Sequence, residues 1–133
     1  MRPLRIVIAG LGRIGTGNVG LAGDLPLSHL AAIRAVGGFE LTGFVDTDAS
    51  KRAALASEFP DASIEARFTD IPNCPCDVAV IATPPEERSG LMDDFFAVSP
   101  KLLIAEKPLA TTLEAAESIA MKARENGVTL RIN

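Results

Sequence analysis

Residues 5–20 read RIVIAGLGRIGTGNVG, and this stretch decides the fold. It begins as an apolar run, typical of a buried strand, and then places five glycines within eleven positions. Each glycine in an ordered element costs roughly 0.5–1 kcal/mol relative to alanine, because glycine loses the most conformational freedom on folding. So many glycines directly after a strand indicate that another group approaches this backbone closely.

The first three of these glycines, Gly10, Gly12 and Gly15, form a G-x-G-x-x-G motif. In a dinucleotide-binding fold the first permits a tight turn, the second lets a pyrophosphate approach, and the third lets the helix pack against the strand. Unpaired N–H groups at the helix N-terminus then face the phosphates. The motif predicts that this turn, with Arg13 and Ile14, binds a diphosphate. A glycine-rich turn without a ligand is the alternative.

A carboxylate at the end of the next predicted strand supports the dinucleotide interpretation. Asp46 stands where such folds hold the adenosine ribose hydroxyls, but it follows Gly15 by 31 residues rather than the usual ~20. Residues 16–26 show no sustained helical pattern, and removing these 11 residues restores a spacing of 20. We therefore expect an insertion at the rim of the cofactor cleft, either a plain solvent loop or a flap over the nicotinamide or the substrate. The predicted insertion contains Gly17, Gly20 and Gly23.

Asp46 also bears on the choice of cofactor. A carboxylate at this position repels a 2′-phosphate, so the sequence favours NAD(H) over NADP(H). Lys51 and Arg52 follow closely and soften that preference.

Short apolar runs alternate with helical patterns along the chain, which is typical of a parallel α/β sheet. Several runs are apolar at consecutive positions, as expected when helices cover both faces of the sheet. The predicted strands are residues 4–9, 40–45, 78–82, 102–105 and 128–132, with a weaker one at 65–69. The sequence thus predicts an α/β fold, a Rossmann-type doubly wound parallel sheet of about six strands.

Capping signals mark the predicted helices. Thr111 with Glu114 forms a capping box before a helix over 112–126, and Gly127 can end it. Three further helices are predicted: 29–36 after Ser28, 49–59 after Asp48, and one from Pro85 to about Val98.

Length and charge exclude several classes of protein. The 133 residues, 47% of them apolar, suit one domain with one core. A net charge of −4 with scattered basic residues argues against nucleic acid as a partner. The apolar runs are far shorter than the ~20 residues that span a bilayer, and no signal peptide is evident. We therefore expect a cytoplasmic protein that has no membrane partner.

The sequence offers no metal site and few aromatic residues. Cys74 and Cys76 flank Pro75 without a second cysteine pair or a nearby histidine, so we interpret them as reduced loop or core thiols. With six Phe, no Trp and no Tyr, this segment alone is poorly equipped to stack on a sugar.

Two segments follow predicted strands: ATPPEERSG at residues 82–90 and AEKPLATTLEAAESI at 105–119. Both lie at carboxyl ends of parallel strands, where open α/β sheets bind their ligands. With the glycine motif and Thr83-Pro84, they resemble the N-terminal domain of the Gfo/Idh/MocA oxidoreductases, which include glucose-fructose oxidoreductase and inositol dehydrogenase. The run from Glu106 to Ala110 matches the family's E-K-P-x-A motif. The resemblance covers essentially all 133 residues.

The resemblance implies roles for these residues. Lys107 would lie beside the nicotinamide and the reacting hydroxyl, where it orients the substrate or assists proton transfer as the catalytic residue. Glu106 resembles the residue that contacts the nicotinamide ribose, and Thr83 and Pro84 also belong to the cofactor site. Pro108 is a candidate for a cis peptide bond. For Lys107 and Glu106 the alternatives are a solvated loop lysine and a carboxylate that only stabilises the fold.

Some positions depart from the family pattern. Pro85 and Arg88 stand where the family often has asparagine and histidine, so polar contacts made by those family residues are in doubt. The segment between Phe68 and Asp77 is too short for the usual helix. His29 matches a frequent family histidine, but without identified partners we interpret it as packed or surface-exposed.

Family members continue for roughly another 200 residues into a substrate domain, which supplies the sugar pocket and much of the oligomer interface. We expect residues 1–133 to be the NAD(P)-binding domain alone and that catalytic domain to be absent from this chain. The parent enzyme would transfer hydride between the cofactor and a secondary alcohol of a sugar or cyclitol, as a possible homo-oligomer. The alternative is a stand-alone dinucleotide-sensing module, and a weaker one is a site for S-adenosylmethionine.

Overall fold

The computed structural model describes residues 1–17, 26–73 and 75–133. Its strands are β1 Leu4–Ala9, β2 Phe39–Val45, β3 Ser63–Glu65, β4 Val78–Ile81, β5 Leu102–Ala105 and β6 Thr129–Ile132. Its helices are α1 His29–Val36, α2 Ala49–Ala56, α3 Arg88–Val98 and α4 Leu113–Glu125, with 3-10 turns at Phe68–Asp70 and Pro85–Glu87. The five strong predicted strands and the four predicted helices are confirmed, three of them with the predicted bounds and the others with ends that differ by one to three residues.

The six strands form one parallel sheet in the order β3-β2-β1-β4-β5-β6. From β1 the chain adds β2 and β3 on one side. It then crosses back to add β4, β5 and β6 on the other side of β1. The predicted doubly wound Rossmann fold is therefore confirmed. Its ligand crevice is expected outside the carboxyl ends of β1 and β4, where the direction of winding reverses.

Two apolar layers cover the two faces of the sheet. Ile8 and Phe44 lie on one face, where Leu30 of α1 and Leu55 of α2 pack on them. Val7 and Ile81 face the other layer, with Phe95 of α3 and Ile119 of α4. Because both faces are covered, β4 and the last four residues of β1 are apolar at every position, which is why these sequences lack alternation.

Helix caps agree with the sequence at two of three sites. The side chains of Ser28 and Asp48 accept from the first-turn amides of α1 and α2, as predicted. In α4 the N-cap is Thr112, whose hydroxyl accepts from the Ala115 amide at 3.1 Å. The predicted capping box of Thr111 with Glu114 is therefore wrong by one position: the cap is the next threonine, and the third residue after it is Ala115 rather than a glutamate.

The weak predicted strand at 65–69 is also wrong. The strand is Ser63–Glu65, and the chain turns at Phe68, whose ring stacks on Phe95 at 4.2 Å between centroids. Burial of this ring pulls the segment off the sheet edge. No α-helix lies between Phe68 and Asp77 in the described part of that segment, in keeping with its length.

Asp77 closes the amino edge of the sheet, opposite the expected crevice. Its carboxylate accepts two bonds from the Arg2 guanidinium, at 2.7 and 2.9 Å, and two from Arg5. The bonds from Arg2, then those from Arg5, hold the pKa of the Asp77 carboxyl far below its usual value. This cluster ties the N-terminus to the start of β4.

Two sequence predictions fall outside the described residues. These are Cys74 and most of the insertion, including Gly20 and Gly23. Cys76 is described: it is buried, and its thiol donates to the Val78 carbonyl at 3.2 Å. Within the described ranges, no helix has the length and apolarity needed to cross a bilayer.

Candidate functional site

Five of the parallel strands end at one edge of the sheet, and the residue that follows each of them lies at this edge. The chain continues into Gly10 after β1, Asp46 after β2, Ala82 after β4, Glu106 after β5 and Asn133 after β6. Amide hydrogen bonds of 2.7–2.9 Å link four of these residues to the adjacent strand, for example Gly10 to Val45 and Glu106 to Ile81. These bonds fix the backbone at this edge of the sheet.

The three motif glycines have different structural causes. Gly10 has φ +93°, and a Cβ there would lie 2.5 Å from the Ala82 carbonyl carbon. A Cβ on Gly15 would lie 1.9 Å from the Gly10 carbonyl oxygen. A Cβ on Gly12 would meet no described atom within 4 Å. Packing thus requires Gly10 and Gly15, whereas nothing in the described protein requires the absence of a side chain at Gly12.

A helical hydrogen-bond pattern crosses the inserted segment. Thr16 and Gly17 donate to the carbonyls four residues earlier, and the amides of His29 and Leu30 donate to Ile14 and Gly15 at 2.8 and 3.0 Å. Subtracting 11 residues makes His29 the fourth residue after Ile14, which is α-helical spacing. This spacing agrees with the predicted length of 11 residues, but the predicted start at Thr16 is early, because the amides of Thr16 and Gly17 bond back to the glycine turn. Residues 18–25 of the predicted insertion lie outside the described residues.

Asp46 is held against the glycine turn. Its Oδ2 accepts from the Leu11 amide at 2.8 Å, and its Oδ1 accepts from the Asp48 amide at 2.9 Å. The Arg52 guanidinium donates to the Asp46 and Thr47 carbonyl oxygens, so it supports the loop and does not line the groove. Lys51 does line the groove, and so does Arg67, which sequence reasoning missed because it misplaced β3.

Glu106 has two side-chain partners. Its Oε1 accepts from His29 Nε2 at 2.7 Å and from Asn133 Nδ2 at 2.8 Å, whereas no described residue donates to Oε2. Burial opposes ionisation of this carboxyl, but the hydrogen bonds from Asn133 and His29 and the charge of Arg88 hold its pKa below the usual value. His29 is therefore packed, as one of the sequence alternatives had it, and it also has a definite partner that the sequence did not identify.

Arg88 joins the loops that follow β4 and β5. Its side chain is buried, and it donates to the carbonyl oxygens of Thr83, Glu106 and Pro108. The sequence placed Arg88 at a departure from the family pattern and assigned it no role. Beside it, the Thr83 Oγ1 is buried and has no hydrogen-bond partner among the described residues.

These parts line one continuous groove of about 950 Å³. The groove contacts eight of the ten residues predicted to bind cofactor: Gly10, Gly12, Ile14, Asp46, Thr83, Pro84, Glu106 and Lys107. The other two do not line it, because Gly15 packs on Gly10 and Arg13 turns to solvent.

Lys107 is exposed at the β5 end of this groove. Its side chain makes no hydrogen bond or ion pair with the described residues, and the Lys107–Pro108 peptide bond is cis, as predicted. Asp46 follows β2, three strand spacings from β5, which is about 14 Å at ~4.8 Å per spacing. The groove therefore connects a carboxylate at one end with a carboxylate and an ammonium at the other.

Comparison with known proteins gives a family. The model of an oxidoreductase family with an NAD-binding Rossmann fold, GFO_IDH_MocA, matches residues 4–133. The curated proteins contain no match to the chain.

Solved structures share the fold. The WlbA dehydrogenases of Chromobacterium violaceum and Bordetella pertussis, both in complex with NADH and UDP-GlcNAcA, superpose with TM-scores of 0.80 at 21% and 24% identity. A 3-ketoreductase from Actinomadura kijaniata, KijD10, in complex with TDP-benzene and NADP, gives 0.77 at 20%. These matches cover 99–100% of this chain but only 35–38% of those chains.

Proposed function

The chain belongs to the Gfo/Idh/MocA oxidoreductase family, and from that membership we propose that its groove binds NAD(H) across the carboxyl edge of the sheet. In this arrangement the diphosphate lies over Gly12, the adenosine ribose is bonded to Asp46, and the nicotinamide end reaches Lys107. The single observation that carries the proposal is that one groove contacts all three residues.

Two features of the groove fit a dinucleotide. A side chain at position 12 would meet no described atom within 4 Å, so only a ligand would require a glycine there. A phosphate would meet the backbone in this open space. The buried Thr83 hydroxyl has no partner in the part of the chain that the structure describes, and a buried polar atom of this kind calls for a ligand or water. Both features lie at the winding reversal between β1 and β4, as expected for a Rossmann-type site.

The length of the groove favours a ligand with two nucleoside ends. The two carboxylate residues Asp46 and Glu106 follow strands that lie three spacings apart, about 14 Å. Each keeps acceptor capacity beyond its present protein bonds, since an ionised carboxylate offers about four lone-pair sites. Two ribose diols joined by a diphosphate would meet one carboxylate at each end.

The charges around Asp46 support a preference for NAD(H) over NADP(H). The Asp46 carboxylate repels a 2′-phosphate, and its position is fixed by the Leu11 and Asp48 amides. Lys51 and Arg67 line the same part of the groove and would attract that phosphate. We propose that the fixed carboxylate outweighs these two exposed cations, whose interactions are screened by solvent.

At the other end, Lys107 is the proposed catalytic residue. A bound nicotinamide cofactor supplies hydride transfer to or from carbon. The Lys107 ammonium would orient the reacting hydroxyl or hold its proton, and Glu106 Oε2 would accept from the nearby ribose. The proposed substrates are sugar-like secondary alcohols, in line with the sugar nucleotide bound to the WlbA dehydrogenases.

We propose that residues 1–133 form the dinucleotide-binding part of such an enzyme and that a separate domain completes the substrate pocket. The chain spans little more than a third of the solved relatives, whose additional length could supply that domain. Alone, residues 1–133 would then bind cofactor without appreciable turnover. A sensing module with no chemistry is the rival proposal, and it predicts the same binding but no turnover in a longer chain, with or without Lys107.

Calorimetric titration of the chain with NADH, NADPH and S-adenosylmethionine tests the binding proposal. We expect a saturable NADH isotherm with a dissociation constant below about 1 mM, equivalent to roughly −4 kcal/mol, and weaker binding of NADPH. The D46A variant should lose most of this affinity, while R124M, a substitution on the exposed side of α4, should not. Binding of S-adenosylmethionine alone would overturn the proposal.

A further inference from the structure

A buried guanidinium lies directly behind the proposed catalytic lysine. Arg88 begins α3 and is only 2% exposed, although it is the largest of the fully buried side chains. Its Nε and Nη2 donate to the Thr83 carbonyl at 3.0 and 2.7 Å, and its Nη1 donates to the carbonyls of Glu106 and Pro108. These two residues flank Lys107, so the chain is held immediately before and immediately after it.

The chemistry of the contacts requires arginine. Four of the five guanidinium N–H groups are used, in a planar fork that reaches two separate loops at once. A lysine ammonium carries its donors on one atom and cannot span the same three carbonyls. Burial lowers the pKa of Arg88, but the negative charges of Glu106 and Glu86 oppose that shift, and the group stays protonated.

We propose that Arg88 is a positioning residue for Lys107: by fixing the carbonyls of Glu106 and Pro108 to the loop that carries Thr83, it sets where the Lys107 ammonium lies in the groove. The inference rests on the proposed function of Lys107 and adds a residue to it. Arg88 therefore acts through the backbone and does not need to touch the cofactor.

The lysine content of the chain allows a direct test. Its lysines are Lys51, Lys101, Lys107 and Lys122. Reductive methylation with ¹³C places an NMR label on each while retaining the charge. Lys122, which pairs with Asp93 at 2.8 Å on the α3–α4 surface, serves as the internal control.

The test compares wild type with R88K, R88M and the exposed control R124K, each first checked for folding by thermal melting. In wild type and R124K, saturating NADH should shift the Lys107 signal and leave Lys122 unchanged. In R88K the Lys107 shift should fall by at least half at saturation, with NADH affinity reduced roughly tenfold, as expected for the loss of hydrogen bonds to a charged group. If R88M does not fold, the R88K result alone tests the inference, because lysine keeps the charge and most of the buried stem.

An unchanged Lys107 shift in folded R88K would overturn the inference and leave Arg88 with a purely structural role. Failure of the proposed function looks different, because wild type itself would then show no NADH-dependent shift. The ligand-free chain then provides the test, because the Glu106 amide next to Lys107 is hydrogen-bonded to the Ile81 carbonyl at 2.9 Å. R88K should speed hydrogen exchange of this amide roughly tenfold, whereas the exchange rates in R124K should match wild type. Equal Glu106 exchange rates in R88K and wild type would also overturn the inference.

Discussion

Alanine at Gly12 and alanine at Gly15 should have opposite effects on this protein. A Cβ on Gly15 would lie 1.9 Å from the Gly10 carbonyl oxygen, a backbone atom that cannot rotate away. The glycine turn would have to move off the sheet, and we expect G15A to lower the free energy of unfolding by roughly 3 kcal/mol or more. For a chain of this size that corresponds to a fall in Tm of about 10–15 °C.

At Gly12 the same methyl group meets no described atom within 4 Å. G12A should therefore leave the free energy of unfolding unchanged or raise it by about 0.5 kcal/mol, because alanine restricts the unfolded chain. The methyl group would instead occupy the space where we propose that the diphosphate meets the backbone. Losing one or two charge-assisted hydrogen bonds of about 1.5–3 kcal/mol each predicts at least a tenfold weaker affinity for NADH.

Thermal melting by circular dichroism and calorimetric titration with NADH measure the two effects on the same samples. The reasoning is refuted if G12A binds NADH as tightly as wild type, because the open space above Gly12 would then hold no ligand. It is also refuted if G15A melts within about 2 °C of wild type. G90A is a suitable control, because a Cβ there also meets no described atom within 4 Å and Gly90 lies outside the groove lining.

Three further predictions concern charged groups. D46N should weaken NADH binding roughly tenfold and NADPH binding less, because it removes a charge-assisted acceptor together with the repulsion of a 2′-phosphate; titrations with both ligands check this. The folded-state pKa of Asp77 is lowered, so the stability that its ionised carboxylate contributes is complete above about pH 4 and is lost as the pH falls further. The difference in Tm between wild type and D77N, measured by melting at a series of pH values, should therefore narrow below about pH 4. H29A should raise the pKa of the Glu106 carboxyl toward its usual value, followed by ¹³C NMR titration, whereas H29Q, which retains an N–H donor, should raise it less.

The sequence predicts the sheet well for a physical reason. Strand residues buried on both faces of a sheet form continuous apolar runs, so residues 6–9 of β1 and all of β4 stand out from the helices between them. Caps at Ser28 and Asp48 are equally readable, because a side-chain acceptor at a helix start serves the nearest free amides. Local chemistry therefore determines most of the architecture.

Features set by tertiary contacts are harder to predict. The α4 cap lies at Thr112, although the capping-box pattern favours Thr111. Thr16 and Gly17 bond back to the glycine turn, whereas the glycine-rich sequence predicts an insertion that begins at residue 16. A three-residue β3 carries too little pattern to fix its position.

The site was partly predictable. Motif residues such as Asp46 and Lys107 lie at strand ends, and the parallel sheet brings those ends to one edge. Arg88 was not predictable as a buried link, because arginine is almost always exposed unless paired and its acceptors here are backbone carbonyls. The His29–Glu106 bond joins residues 77 positions apart, and no local signal marks it.

Chemical-shift mapping of the ¹⁵N-labelled chain with NADH tests the central claim most directly. If one dinucleotide spans the groove, a single saturable titration should perturb the amides of Gly12, Asp46, Thr83 and Lys107 together and with the same apparent affinity. Perturbation of Gly12 and Asp46 without Lys107, or of none of them, would contradict the account.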